Sequence, residues 1–183
     1  MIFNEKTIVL KNGKTALLKS PEPGDGAKML DYIKRACGET EFLVRYPEEW
    51  DGVSVEGEEK WIKNGRDSLS DMKITCYVDG EIAGNCEIIF HTDKKTCHRA
   101  ELAIAILEKY WGLGIGSAMF EELIAAARAH EGTEIVELKF VEGNERARAL
   151  YEKFGFRIVS ERPNAFKLRD GSLVKLCYMQ KVL

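Results

Sequence analysis

No run of about eighteen apolar residues, the length a helix needs to cross a bilayer, occurs in this 183-residue chain. The N-terminus, Met1 to Lys6, has no basic stretch followed by an apolar segment, so neither a membrane span nor a secretion signal is expected. The five cysteines (Cys37, Cys76, Cys86, Cys97 and Cys177) are odd in number and scattered, with no CxxC pair to hold zinc or form a redox centre. The three histidines, His91, His98 and His130, lack a metal-ligand spacing and are read as structural. A cytoplasmic location and no metal are the expectation. Positive charge is also short. A net charge of −3 offers no basic face to a phosphate backbone, so nucleic acid is not an expected partner.

What the chain does have is apolar material, 45% of its residues, enough for one sizeable core, and a single domain over 1–183 is expected. Acidic residues concentrate between Glu39 and Glu59, with Arg45 the only basic residue among them. Such a run is a solvated loop or, alternatively, a rim that attracts a cationic amine.

Periodicity alternates between strand and helix. Asn12-Gly13 joins two short strands, Ile8 to Leu10 and Thr15 to Lys19, as a hairpin. Helical spacing follows at Ala27, Leu30, Ile33 and Ala36, and again around Trp61 and Ile62. From Met72 the period becomes two, Asp79-Gly80 turns the chain into Ile82 to Phe90, and a further strand covers Arg99 to Ile106. Ile115, Met119, Leu123 and Ala126 then mark an alanine-rich helix with Gly116 and Ser117 in its first turn. A strand from Glu134 to Val141 precedes a helix capped by Asn144, Gly155 ends that helix, and strands over Arg157 to Glu161 and Leu173 to Lys181 close the chain. The order predicts an α+β or mixed α/β sheet.

Gly112-Leu113-Gly114-Ile115-Gly116-Ser117 sets three alternate glycines between a strand and a helix start. Backbone N–H groups can approach a phosphate there, and the helix dipole favours its charge. Close packing alone is the competing explanation. A P-loop is excluded because no lysine follows the glycines, and a dinucleotide fingerprint because Ser117 stands where a third glycine is needed.

Trp111 to Gly116 resembles the Gln/Arg-x-x-Gly-x-Gly/Ala motif of the GNAT superfamily of acetyl-CoA-dependent N-acetyltransferases, with Trp111 in place of Gln or Arg. Asn144 to Phe156 is similar to that superfamily's Asn-x-x-Ala-x-x-Leu-Tyr-x-x-x-Gly-Phe segment, and both motifs fall in the right order. The resemblance implies a mixed, mostly antiparallel sheet of about six to seven strands flanked by about four helices. A V-shaped splay is implied between the fourth and fifth strands, taken as Arg99 to Ile106 and Glu134 to Val141. By the same resemblance, Ile104, Ala105 and Ile106 offer backbone groups to the pantetheine of acetyl-CoA. Gly112, Leu113, Gly114, Ile115, Gly116 and Ser117 cradle its pyrophosphate, and Asn144 adds a contact. Read from the residues alone, Ile104 and Ile106 serve equally well in a core.

The implied reaction poses two proton problems. Exposing the neutral form of an amine of pKa about 10.4 at pH 7 costs on the order of 4.6 kcal/mol, and the departing thiolate gains from a proton donor. Tyr151 matches the family's general acid. Glu101 is the candidate base or water-positioning residue, with Glu87, Glu39 and Glu41 as competing carboxylates. Arg146, Arg148 and Lys153 can reach the phosphates or form a solvated helix face. The expected reaction is direct transfer to a primary amine, on a small molecule or a protein, in a ternary complex. A non-catalytic acyl-CoA sensor and a transferase of another acyl group are the alternatives, and homodimers are common in such families.

Overall fold

The computed structural model describes residues 1–183. Eight strands form one sheet: β1 (Lys6–Val9), β2 (Thr15–Lys19), β3 (Asp71–Val78), β4 (Glu81–Phe90), β5 (Arg99–Ile106), β6 (Ile135–Val141), β7 (Arg157–Lys167) and β8 (Leu173–Val182). Their spatial order is β1-β2-β3-β4-β5-β6-β8-β7, antiparallel throughout except where β5 meets β6. The strand count exceeds the expected six to seven, and the splay lies between the fifth and sixth strands in chain order. Strand β1 is a four-residue edge, so its hairpin adds strands without adding much core.

Helices α1 (Gly26–Gly38) and α2 (Val55–Asp67) cover one face of the sheet, and α3 (Ile115–Ala129) and α4 (Glu145–Lys153) the other. Strand β3 is buried on both faces because its alternation serves both layers. Met72, Ile74, Cys76 and Val78 join the α3 core, and Tyr77 joins the smaller cluster with Met29, Tyr32, Ala36 and Ile62. Helix α3 buries Ile115, Met119, Phe120, Leu123, Ile124 and Ala127, a stripe at spacings of three and four. At the β3–β4 turn Asp79 and Gly80 have φ of 52° and 81°, the doubly left-handed geometry of a two-residue hairpin.

Strand β7 runs six residues beyond its expected end at Glu161. Pro163 reads as a stop because it has no N–H to donate, but β7 is the outer strand of the sheet and tolerates it. Five residues of β7, Arg162 to Phe166, span only three of β8, Leu176 to Val174, and Asn164 within this bulge has φ of 53°.

Glu81 at the start of β4 ties α1 to the connection between β5 and α3. Its carboxylate accepts from Arg35 of α1 and Lys109, and from the Tyr110 hydroxyl at 2.7 Å. These donors, Lys109 first, hold its pKa down to about 2. A depressed carboxylate stabilises the fold fully above the ordinary Glu range and loses that contribution as pH falls toward 2. Glu81→Gln is therefore expected to lower Tm at pH 7, by about 2–4 °C per kcal/mol lost. The gap from wild type should shrink progressively below pH 5 in thermal unfolding followed by circular dichroism.

Candidate active site

Strands β5 and β6 pair over three positions only: Arg99 with Ile135, Ala100 with Val136, and Glu101 with Glu137. Beyond Glu101 they part, β5 staying on β4 as far as Ile106 and β6 staying on β8 as far as Val141. Gly84 lets β5 follow β4 closely. A Cβ there would lie 2.9 Å from Ile106 Cγ1 and 3.0 Å from the Ala105 carbonyl. The Tyr32 hydroxyl is inserted between the same strands, accepting the Asn85 N–H at 3.1 Å and donating to the Ala105 carbonyl at 2.8 Å.

Strand alternation then assigns the backbone. Arg99 and Ala105 carbonyls and the Leu107 N–H point to β4, so the polar groups of Ile104 and Ile106 point into the gap. Of the three residues expected to offer backbone contacts, Ala105 has its carbonyl engaged by Tyr32, away from the gap. The Ile106 carbonyl accepts from Trp111 Nε1 at 2.7 Å, so Trp111 caps the open edge where the motif usually carries Gln or Arg.

The gap opens into a cavity of about 760 Å³ lined by both strands, the glycine turn, α4 and β8. Gly112, Gly114, Ile115, Gly116, Ser117 and Asn144 all line it, whereas Leu113 packs against the main core and its carbonyl accepts the Lys11 N–H at 3.1 Å. Gly114 is the N-cap of α3 with φ of 97°, a conformation that side chains rarely adopt. A Cβ on Gly116 would come within 3.2 Å of Leu150 and 3.3 Å of Ile106. The N–H groups of the first turn of α3 thus face the cavity with no side chain in front of them.

Cations gather at this end. Lys11 reaches it from the β1–β2 hairpin, and Arg146 stacks on Trp111 with its guanidinium carbon 4.5 Å from the ring centroid. Lys153 Nζ donates to Ser117 Oγ at 2.9 Å, but Arg148 is paired with Glu152. Lys11 escaped the sequence reading because it lies about 100 residues before the glycines, and only the Lys11–Leu113 backbone bond brings it over.

At the junction of the two halves Tyr151 is 6% exposed, packed between Phe120 at 5.3 Å and Phe140 at 5.9 Å between ring centroids. Its hydroxyl meets the cavity without a partner in the protein, and burial pushes its pKa up to about 12. Asn144 caps α4 by accepting the Ala147 N–H at 3.1 Å, so its side chain fixes the helix that carries Tyr151.

The other half is lined by Glu101, Ala103, Lys139, Phe42, Arg162 and Tyr178, among others. Glu101 is 2.8 Å from Lys139 Nζ. Of the competing carboxylates, Glu87 lies 3.3 Å from Lys73 and Glu41 does not line the cavity, while Glu39 lines it but accepts the Glu108 N–H at 2.6 Å. The acidic stretch does not form a negative rim, since Glu48 pairs with Arg169, Asp51 with Lys34, and Glu58 is buried. His130 bonds Thr133 and stacks on Phe90, and no group of three or more His, Cys, Asp or Glu side chains is placed to hold a metal.

Residues 35–156 match the model of the acetyltransferase (GNAT) family. The chain is 25% identical over 122 residues to the L-amino acid N-acetyltransferase AaaT of Escherichia coli, an alignment covering 67% of this chain and 75% of that one. It is 36% identical over 80 residues to the [ribosomal protein bS18]-alanine N-acetyltransferase of Haemophilus influenzae, covering 42% and 53%. The crystal structure of a GNAT-family acetyltransferase from Streptococcus pneumoniae superposes with a TM-score of 0.84 at 26% identity, over 92% of this chain and 99% of that one. A parted sheet, a side-chain-free helix start and a family match across both motifs converge: the chain belongs to the GNAT family of acetyltransferases.

Proposed function

We propose that the protein transfers an acetyl group from acetyl-CoA directly to a primary amine, with both bound in the cavity between β5 and β6. The observation that carries this reading is the continuous path along one wall, from the Ile104 backbone and the Ile106 N–H, which face the gap, to the Gly114-capped start of α3, with the Tyr151 hydroxyl facing in. The relatives named for L-amino acids and for a ribosomal-protein alanine support an amine as acceptor.

The residues fit the donor part by part. The Ile104 backbone and the Ile106 N–H supply edge hydrogen bonds of the kind an added strand uses, and amide groups of a pantetheine arm satisfy them. The turn from Gly112 to Ser117 supplies N–H groups for a pyrophosphate, assisted by Lys11 and Arg146. Acetyl-CoA supplies an activated thioester. The chain's own part is to align the amine with it, present a backbone N–H to the developing oxyanion, and deliver a proton to the departing sulfur. A tyrosine whose pKa is raised to about 12 keeps its proton throughout the physiological range, so Tyr151 is available there as an acid. Glu101, on the acceptor side, takes the amine proton directly or through water.

Two variants test this assignment. Tyr151→Phe keeps the buried ring and removes only the hydroxyl. It is expected to lower kcat by about 10²–10⁴ while the Kd for acetyl-CoA in titration calorimetry stays within about twofold. An unchanged kcat removes Tyr151 from the chemistry. Gly114→Asp strains a backbone held at φ of 97° and places a carboxylate where a phosphate is expected. It should raise the acetyl-CoA Kd by about a hundredfold or more in a protein that still unfolds cooperatively; unaltered binding means that this turn holds no phosphate.

A further inference from the structure

The charges at the acceptor end of the cavity sum to zero, but one of them has no partner. Four charged side chains, two of each sign, line it: Glu39, Glu101, Lys139 and Arg162. Glu39 is committed to the Glu108 N–H, and Glu101 and Lys139 neutralise each other at 2.8 Å. Arg162 alone makes no ion pair and no hydrogen bond, although its neighbour Glu161 is paired with Lys175. The walls around these groups are apolar, including Phe42, Leu43, Phe166 and Leu176.

The backbone beneath Arg162 is specialised. Its side of β7 carries the bulge that sets five residues against three of β8, with Asn164 held at φ of 53°. Bulges of this kind re-aim side chains beside functional sites, and asparagine is among the residues that adopt the positive φ such a bend requires. Arg162 and Phe166, at the two ends of the bulge, both line the cavity. A guanidinium beside apolar walls favours a bidentate anion, above all a carboxylate.

We infer that the acceptor is a free α-amino acid with an apolar side chain: Arg162 holds its carboxylate, Phe42, Phe166 and Leu176 enclose its side chain, and its amine is left to face Glu101. The inference rests on the transferase reading given above and adds the substrate class. A polyamine has no group for Arg162, and a peptide N-terminus has an amide where the carboxylate is required.

The test compares L-phenylalanine with L-phenylalaninamide, which has nearly the same shape and no negative charge, in wild-type protein and in Arg162→Gln and Arg162→Lys, with acetyl-CoA saturating. Wild type is expected to use phenylalanine at least tenfold better by kcat/KM. Arg162→Gln should reduce that preference about ten- to hundredfold, mainly through the KM for phenylalanine, and Arg162→Lys should restore part of it. Wild-type protein that acetylates the amide, spermidine or an alanine-initiated peptide faster than phenylalanine overturns the substrate class but leaves the transferase. Equal losses on acid and amide in Arg162→Gln overturn the carboxylate contact. Folded protein that binds acetyl-CoA and acetylates no amine in the panel overturns both.

Discussion

An exposed sheet edge is a row of unsatisfied donors and acceptors, and the organisation of this protein follows from creating one inside the molecule. Strand β5 leaves β6 after three pairs and stays with β4, so Ile104 and Ile106 turn polar backbone into a gap instead of onto a neighbour. Leaving buried backbone unpaired is costly. Gly84 holds the separation by admitting β5 close to β4, the Tyr32 hydroxyl occupies the ladder position at Asn85 and Ala105, and Trp111 covers the Ile106 carbonyl. These devices leave a few groups free at a site where a ligand can satisfy them. The ordinary part of the sheet, buried on both faces at β3, supplies the rigidity that keeps the strands apart.

Electrostatics divide the same cavity into two chemically different ends. The α3 start, Lys11 and Arg146 favour phosphate, and the Glu101–Lys139 pair with Arg162 makes the other end polar without net negative charge. Tyr151 sits between them in an aromatic nest whose burial keeps its proton in place. Position and protonation state arise from the same packing: α4 is fixed by the Asn144 cap, and the apolar rings that hold Tyr151 also raise its pKa.

Much of this was legible in the sequence because the signals were local. Asp79-Gly80, Asn144 and Gly155 each determine their own backbone, and the glycines at 112, 114 and 116 lie within one turn. Contacts over long range were hidden. Nothing near Lys11 indicates that its hairpin lies over the glycine turn, and nothing near Tyr32 indicates that its hydroxyl enters the sheet. The acidic stretch after α1 suggested an attraction for cations. In three dimensions its carboxylates are spent on Arg169, Lys34 and backbone N–H groups, and the charge that matters at the acceptor end lies on β7 and β6. The β7 bulge escaped notice because Pro163 reads as the end of a strand, whereas an edge strand can carry it onward.

Amide hydrogen exchange followed by NMR, with and without saturating coenzyme A, measures the open edge most directly. If Ile104 and Ile106 are the groups a ligand satisfies, their amide protons exchange readily in the free protein and become strongly protected in the complex, while amides of β3, already paired on both sides, change little. Tight binding with no added protection at Ile104 and Ile106 would contradict the account, because the parted strands would then not be where the ligand is held.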